Sequence, residues 1–156
     1  MEIRRAGIKD IDGLLKLLHQ VLEIHAAIRP DIFIPGTTKY THDELEGMVG
    51  DDRNPIYVAV DDSDEVTGYA FCQLKEPKFA TTMVQFKTLF IDDLCVDSSV
   101  RGQNIGRKLF EYVKDEASRL GCYDITLNVW TGNDSAESFY EKMGMKTRER
   151  QLEYIL

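Results

Sequence analysis

The stretch Val96-Asp-Ser-Ser-Val-Arg-Gly-Gln-Asn-Ile-Gly106 reads as a strand end that passes through a turn into the start of a helix. Such a junction can bind an anion. The first amides of a helix have no partner within it, and the helix dipole adds positive potential, so backbone N–H groups can hold a phosphate without a lysine. Gly102 and Gly106 permit close backbone approach. An ordinary strand-to-helix turn could carry the same residues, so both readings stand at this point. Proton transfer has its own candidates. Asp92 and Asp93 lie in an otherwise apolar run, where burial would raise a carboxylate toward the working range of a base. Adjacent strand residues point to opposite faces, so only one of the two is expected to face a substrate. Either could instead cap a nearby backbone or pair with a basic residue. Tyr140 offers a phenol, and it fits equally well as one more aromatic on a buried helix stripe beside Phe139.

The elements that must position these groups follow from periodicity. Residues 2–6 read as a strand, and Ile8, Ile11, Leu14, Leu15, Leu18, Val21, Leu22 and His25 recur at helical spacing until Pro30 intervenes. Thr41-His-Asp-Glu44 is a capping-box pattern that starts a short second helix. Ile56–Val60 and Val66–Leu74 form a hairpin about the acidic turn Asp61-Asp-Ser-Asp64. A strand over about 86–96 precedes the anion-binding turn. Ile105, Leu109, Val113, Ala117 and Leu120 then mark a helix that Gly121 ends. Tyr123, Ile125, Leu127 and Val129 alternate as a strand; Ala136, Phe139, Tyr140 and Met143 follow on a helix, and a last strand is expected from about Lys146 to 156. The order β-α-α-β-β-β-α-β-α-β gives a mixed sheet with helices on its faces.

With that order in place, Arg101-Gly-Gln-Asn-Ile-Gly106 resembles the pyrophosphate loop of the GNAT superfamily of acetyl-CoA-dependent N-acetyltransferases: Gln or Arg, two residues, Gly, any residue, Gly or Ala. Asn104 stands where the first patterned Gly is usual, and Asn tolerates a left-handed backbone. Leu94-Cys-Val96 before the loop, then Asn133 and Tyr140-Glu-Lys-Met-Gly144, fall in the family's order. The resemblance covers about residues 88–145. It implies an α/β (α+β) fold in one domain over 1–156, with a central, mostly antiparallel sheet, helices on both faces, and two parallel strands that splay at the cofactor site. It implies that the backbone of Leu94, Cys95 and Val96 holds the pantetheine arm of acetyl-CoA. Arg101, Gly102, Gln103, Asn104, Ile105, Gly106 and Arg107 would wrap the pyrophosphate, with Asn133, Ser135 and Tyr140 also on the cofactor. Tyr140 would protonate the leaving thiolate. Asp92, where polyamine acetyltransferases of the superfamily have a glutamate, ranks ahead of Asp93 as base. Asn128 stands where ribosomal-protein alanine acetyltransferases place a glutamate base; an amide cannot take that role, so Asn128 is left to substrate contact.

The acceptor site of this superfamily is built largely from the first two helices and the loop between them. Residues 24–42 are therefore the expected specificity region, with His25, Arg29, Phe33, Lys39 and Tyr40 as candidates. The expected acceptor is a primary amine, on a polyamine or amino-acid-like molecule or on a peptide amino terminus. The alternative is a regulatory module that binds acetyl-CoA without turnover. Composition sets outer limits. Nineteen Lys plus Arg against 27 Asp plus Glu leave a net charge of −8, a poor footprint for nucleic acid. There is no apolar leader at the start and no apolar run long enough for a bilayer, so a cytoplasmic protein without a membrane partner is expected. The odd, scattered Cys72, Cys95 and Cys122 suggest neither a disulfide framework nor a metal site. A homodimer is compatible with the family, but no residue pattern singles out an interface.

Overall fold

The computed structural model describes residues 1–100 and 102–156. Strand β1 (Glu2–Arg5) leads through a single 3-10 turn (Ile8–Asp10) into helix α1 (Ile11–Ile28), followed by α2 (His42–Met48). Strands β2 (Ile56–Val60), β3 (Val66–Lys75) and β4 (Lys87–Val96) come next, then α3 (Ile105–Arg119), β5 (Cys122–Leu127) and α4 (Asp134–Lys142). The five strands form one sheet in chain order. The first three pairings are antiparallel and β4 runs parallel to β5. Among the described residues, no helix is long and apolar enough to cross a membrane.

The period-2 pattern of the strands sorts the core onto two faces. Ile56, Val58, Val60, Tyr69 and Phe71 pack with Ile11, Leu14, Leu17, Leu18 and Leu45 from α1 and α2. Their neighbours Tyr57, Ala70 and Cys72 face the other way, onto Phe110, Val113 and Ala117 of α3. Cys72 and Cys95 are buried among these side chains, as small hydrophobes are.

Local signals hold where they rest on a named interaction. The Thr41 hydroxyl accepts a hydrogen bond from the Glu44 amide at 3.2 Å and so starts α2. Gly121 closes α3 in the left-handed region, at φ 73°. The Asp61 carboxylate accepts from the amides of Ser63 and Glu65, which folds the hairpin turn. Beside that turn, the Arg4 guanidinium grips the buried Asp10 carboxylate through two bonds of 2.8 and 2.9 Å. Two expectations fail. The strand expected over 123–129 ends at Leu127. Among the described residues, the last strand does not form at all: 146–156 joins no sheet. The alternation of apolar residues is there, but no strand of the same chain pairs with it.

Helix α1 lies tight on the sheet at one point. A Cβ on Gly13 would meet Val66 Cβ at 2.7 Å and Cγ2 at 2.8 Å, and a β-branched side chain has little freedom to yield. Gly13→Ala gains about 1 kcal/mol of helix propensity, but overpacking costs about 1–3 kcal/mol. We expect a net loss in urea unfolding, with part of it recovered when Val66→Ala is added.

Candidate active site

The site begins where a strand pairing stops. Strands β4 and β5 are in register from Lys87–Cys122 to Ile91–Leu127. Beyond that pair β4 continues to Val96 while the other chain leaves the sheet through Asn128, Val129 and Trp130. A gap therefore opens beside Leu94, Cys95 and Val96, past the last β4–β5 pair. This is the splay that the sequence implied.

One wall of the gap is the start of α3. Gly102 and Asn104 both have left-handed backbone, at φ 87° and φ 60°, and α3 begins directly after Asn104. Among the described residues, no side chain caps that helix, so its first amides keep their capacity to donate to a ligand. Successive amides in such a turn form an anion-binding concavity. They border a cleft of about 530 Å³ whose wall includes Val96, Gly106, Arg107, Phe139 and Lys142. The wall is close at Gly106, where a Cβ would stand in ordinary contact, 3.5 Å from the Phe139 ring and from Val96 Cγ2. Gln103 is exposed in the same turn and Ile105 is buried beneath it. A phosphate-bearing group fits these residues. Lys142 is an addition that the sequence did not mark, since a lysine near a helix end is common. Arg101 lies outside the described residues.

The opposite wall is acidic. The register between β3 and β4 slips so that Phe71 faces Asp93 and Cys72 faces Ile91, leaving Asp92 as the extra residue of a β-bulge. The expected split of the two carboxylates to opposite faces does not survive this slip, because both act on the same neighbours, Lys39 and Tyr69. Asp92 Oδ2 accepts from Lys39 Nζ at 2.5 Å. Asp93 Oδ2 accepts from the Tyr69 hydroxyl at 2.8 Å. Burial pushes Asp93 up to about 6; the Asp92 charge adds to the rise, while the Tyr69 bond and the Lys39 charge oppose it. Tyr69 was missed at the sequence level because it stands 24 residues away and looks like an ordinary core aromatic.

Tyr140 comes from α4 to the same region. Its ring packs on Phe110 and Phe139, as the core-aromatic reading expects. Burial, with the Asp93 charge adding, holds its phenol protonated well above the ordinary range. Asn133 caps α4 through Oδ1, which accepts from the Ala136 amide and the Ser135 hydroxyl at 3.4 Å each. This leaves the Asn133 amide nitrogen for another partner.

At the far end of the gap, the inter-helix segment gathers three candidates around a fourth residue. Phe33 packs on His25 at 5.2 Å and edge-on to Trp130 at 5.3 Å, and the Arg29 guanidinium lies 5.9 Å over the Trp130 ring. Burial, then the Lys39 charge, lowers the His25 pKa. Arg29 is also bonded to Asp31 and Glu153. Asn128 is exposed on the chain that leaves β5.

Comparison with known proteins follows the same lines. Residues 18–145 match the family described as acetyltransferase (GNAT) family. A glucosamine 6-phosphate N-acetyltransferase of Arabidopsis thaliana is 37% identical over 62 residues, 40% of each chain. A peptidyl-lysine N-acetyltransferase of Salmonella typhimurium is 35% identical over 109 residues, 69% of this chain and 62% of that protein. These matches thus span less than two thirds of either relative. A solved protein of Bacillus halodurans is 32% identical and superimposes with a TM-score of 0.94 over 100% of this chain and 99% of its own.

The Asp93 shift has a measurable sign. Its folded pKa lies above the ordinary carboxylate value, so between about pH 4 and about pH 6 the folded state binds more protons than the unfolded state. Stability from this group is present at low pH and lost as pH rises through about 6. Urea unfolding of the native protein minus that of Asp93→Asn, taken at intervals from pH 4 to 7, should therefore fall across that window. A flat difference would mean Asp93 titrates normally.

Proposed function

Because the chain belongs to the acetyltransferase (GNAT) family, we propose that it transfers the acetyl group of acetyl-CoA to a primary amine by direct attack. The observation that carries this reading is the opposite polarity of two groups of residues along the end of β4. The uncapped start of α3 shares a cleft with Arg107 and Lys142, while Asp92 and Asp93 stand on β4 just before the gap, where the Asp93 charge acts on Tyr140. An anionic diphosphate suits the first and a cationic amine the second.

The donor supplies an activated acetyl thioester. The stretch of β4 at Leu94, Cys95 and Val96, past its last pair with β5, would hold the amide-bearing arm as an added strand, and the amide nitrogen of Asn133 would bond the same arm. The turn from Gly102 to Arg107 would hold the diphosphate. At the other end, Asp92 already bonds a primary ammonium, that of Lys39, which shows the charge this wall accepts. We assign the acceptor ammonium to the same place, with Phe33, His25 and Trp130 as the wall its carbon chain lies against. Two relatives named above act, by their names, on glucosamine 6-phosphate and on peptidyl-lysine, both of which present a primary amine.

An ammonium must lose its proton before nitrogen can form the new C–N bond. Asp93 is the better placed base, since its pKa of about 6 keeps it ionised at neutral pH yet closer to the amine than an ordinary carboxylate. Asp92 then binds charge through its bond geometry. When the C–S bond breaks, the departing sulfur takes the electron pair, and Tyr140 holds the proton it needs. A phenol shifted upward does not ionise spontaneously; it donates only to an anion formed against it.

Tyr140→Phe should reduce kcat by about 10²- to 10⁴-fold with the Kd for acetyl-CoA unchanged by calorimetry. Thiol release at the native rate would remove Tyr140 from the mechanism. No thiol release from the native protein with any primary amine, despite tight acetyl-CoA binding, would favour a binding module over an enzyme. In the native protein log kcat/KM should rise with pH to a bend near 6, and Asp93→Asn should abolish that bend along with most of the rate.

A further inference from the structure

The acidic pair already holds a cation of the protein's own. Lys39 lies in the segment between α1 and α2, and its Nζ donates to Asp92 Oδ2 at 2.5 Å although the two residues are 53 apart in sequence. The next side chain fixes where this ammonium stands. Tyr40 stacks on Phe71 of β3 at 5.7 Å, Phe71 is the residue opposite Asp93 in the sheet, and Lys39 Nζ lies 5.5 Å over the Tyr40 ring. The backbone is pinned on either side. The Thr38 hydroxyl donates to the Tyr40 carbonyl at 3.0 Å, and the Thr41 hydroxyl caps α2. Burial works against the Lys39 charge, yet the Asp92 bond and charge raise its pKa overall, so it stays an ammonium at neutral pH. An ammonium has no lone pair and is not itself a nucleophile.

The other cationic candidates of this segment are already matched. Arg29 bonds both Asp31 and Glu153. Burial and then the Lys39 charge lower the pKa of His25, which is therefore largely neutral at pH 7. Lys39 bonds a single carboxylate among the described residues. An acceptor ammonium brought to Asp92 stands beside the Lys39 ammonium, whether it shares Oδ2 or takes Oδ1. Two ammonium groups on one carboxylate repel. An anionic group on the same acceptor offsets that repulsion by bonding Lys39, and a second ammonium adds to it.

We propose that Lys39 sets the acceptor class of this site, a small molecule that carries an anionic group, carboxylate or phosphate, beside its primary ammonium. The inference rests on the transferase reading above and deepens it by choosing among acceptors. In the free protein Asp92 and Lys39 satisfy each other. An acceptor with both charges exchanges that one pair for two, its ammonium on Asp92 and its anion on Lys39. A polyamine brings only further positive charge and leaves Lys39 without a new partner, and a peptide amino terminus brings no anion of its own.

Matched amines that differ in the acidic group alone test this: lysine with cadaverine, β-alanine with ethylamine, and O-phosphoethanolamine with ethanolamine. The first two pairs read a carboxylate and the third a phosphate. Thiol release at saturating acetyl-CoA should give the acidic member of at least one pair a KM about tenfold below that of its partner, with kcat changed less. Lys39→Arg should keep the preference, Lys39→Met should abolish it, and Lys39→Glu should turn it toward the member without the acid. Calorimetric titration of acetyl-CoA into each variant checks that it is folded. An equal or opposite preference in every pair overturns the proposal, and so does an acid preference that Lys39→Met leaves intact. Turnover of polyamines with none of the acidic amines overturns this acceptor class alone. Turnover of no primary amine at all overturns the transferase reading, and this inference with it.

Discussion

A strand inside a folded sheet must hydrogen-bond on both sides, because a backbone amide or carbonyl shut away from water without a partner costs about 1–3 kcal/mol. Strand β4 obeys this along β3 for its whole length but along β5 only as far as Ile91. The five residues after that point are the constraint on which the site depends. Past it no β5 residue is in register with them, and a gap opens beside them. The chain leaving β5 must swing away to keep it open, which carries Asn128 to Trp130 outward and sets α4 on the far side. The start of α3 faces the same gap because it follows directly from the end of β4. One interrupted ladder thus places an amide-rich turn, the end of β4 and the tip of α4 around one space.

The bulge at Asp92 adds the chemistry. In a regular strand two adjacent carboxylates would sit on opposite faces and scarcely interact. The slipped register lets both act on Lys39 and Tyr69, and the arrangement is tolerable because each oxygen pair has a donor: Lys39 for Asp92 and Tyr69 for Asp93. The two donors differ in kind. A neutral phenol stabilises a carboxylate less than an ammonium does, and Asp93 is also the more deeply set of the pair. Burial moves the proton affinity of Asp93 toward neutrality.

What the sequence made legible follows the range of the interaction involved. The Thr41 cap, the Asp61 turn, the Gly121 stop and the apolar stripes of α1 and α3 are decided within a few residues, and each stands as read. The gap was legible only through the family pattern, since nothing local announces that a ladder will stop. The bulge was not legible: it is a property of β3 against β4, and reading Asp92 and Asp93 along one strand gives the wrong faces. Lys39 and Tyr69 reach the acidic pair across 53 and 24 residues. The unformed strand at 146–156 has the same origin. Alternation states what a segment can pair with, and says nothing about whether its own chain supplies the partner.

Asn104 shows how a departure from a family pattern can be neutral for one part of a site and not for another. A glycine is usual there because the backbone must turn left-handed, and a side chain ordinarily opposes that. Asn is among the few residues that accept it, and its backbone at φ 60° and ψ 19° lies in the left-handed region. The amides that follow it into α3 consequently point as they would after a glycine. The difference is the side chain itself, which borders both the cleft beside Gly106 and a second groove toward Tyr112 and Asp115. The substitution therefore preserves the left-handed turn and alters its rim.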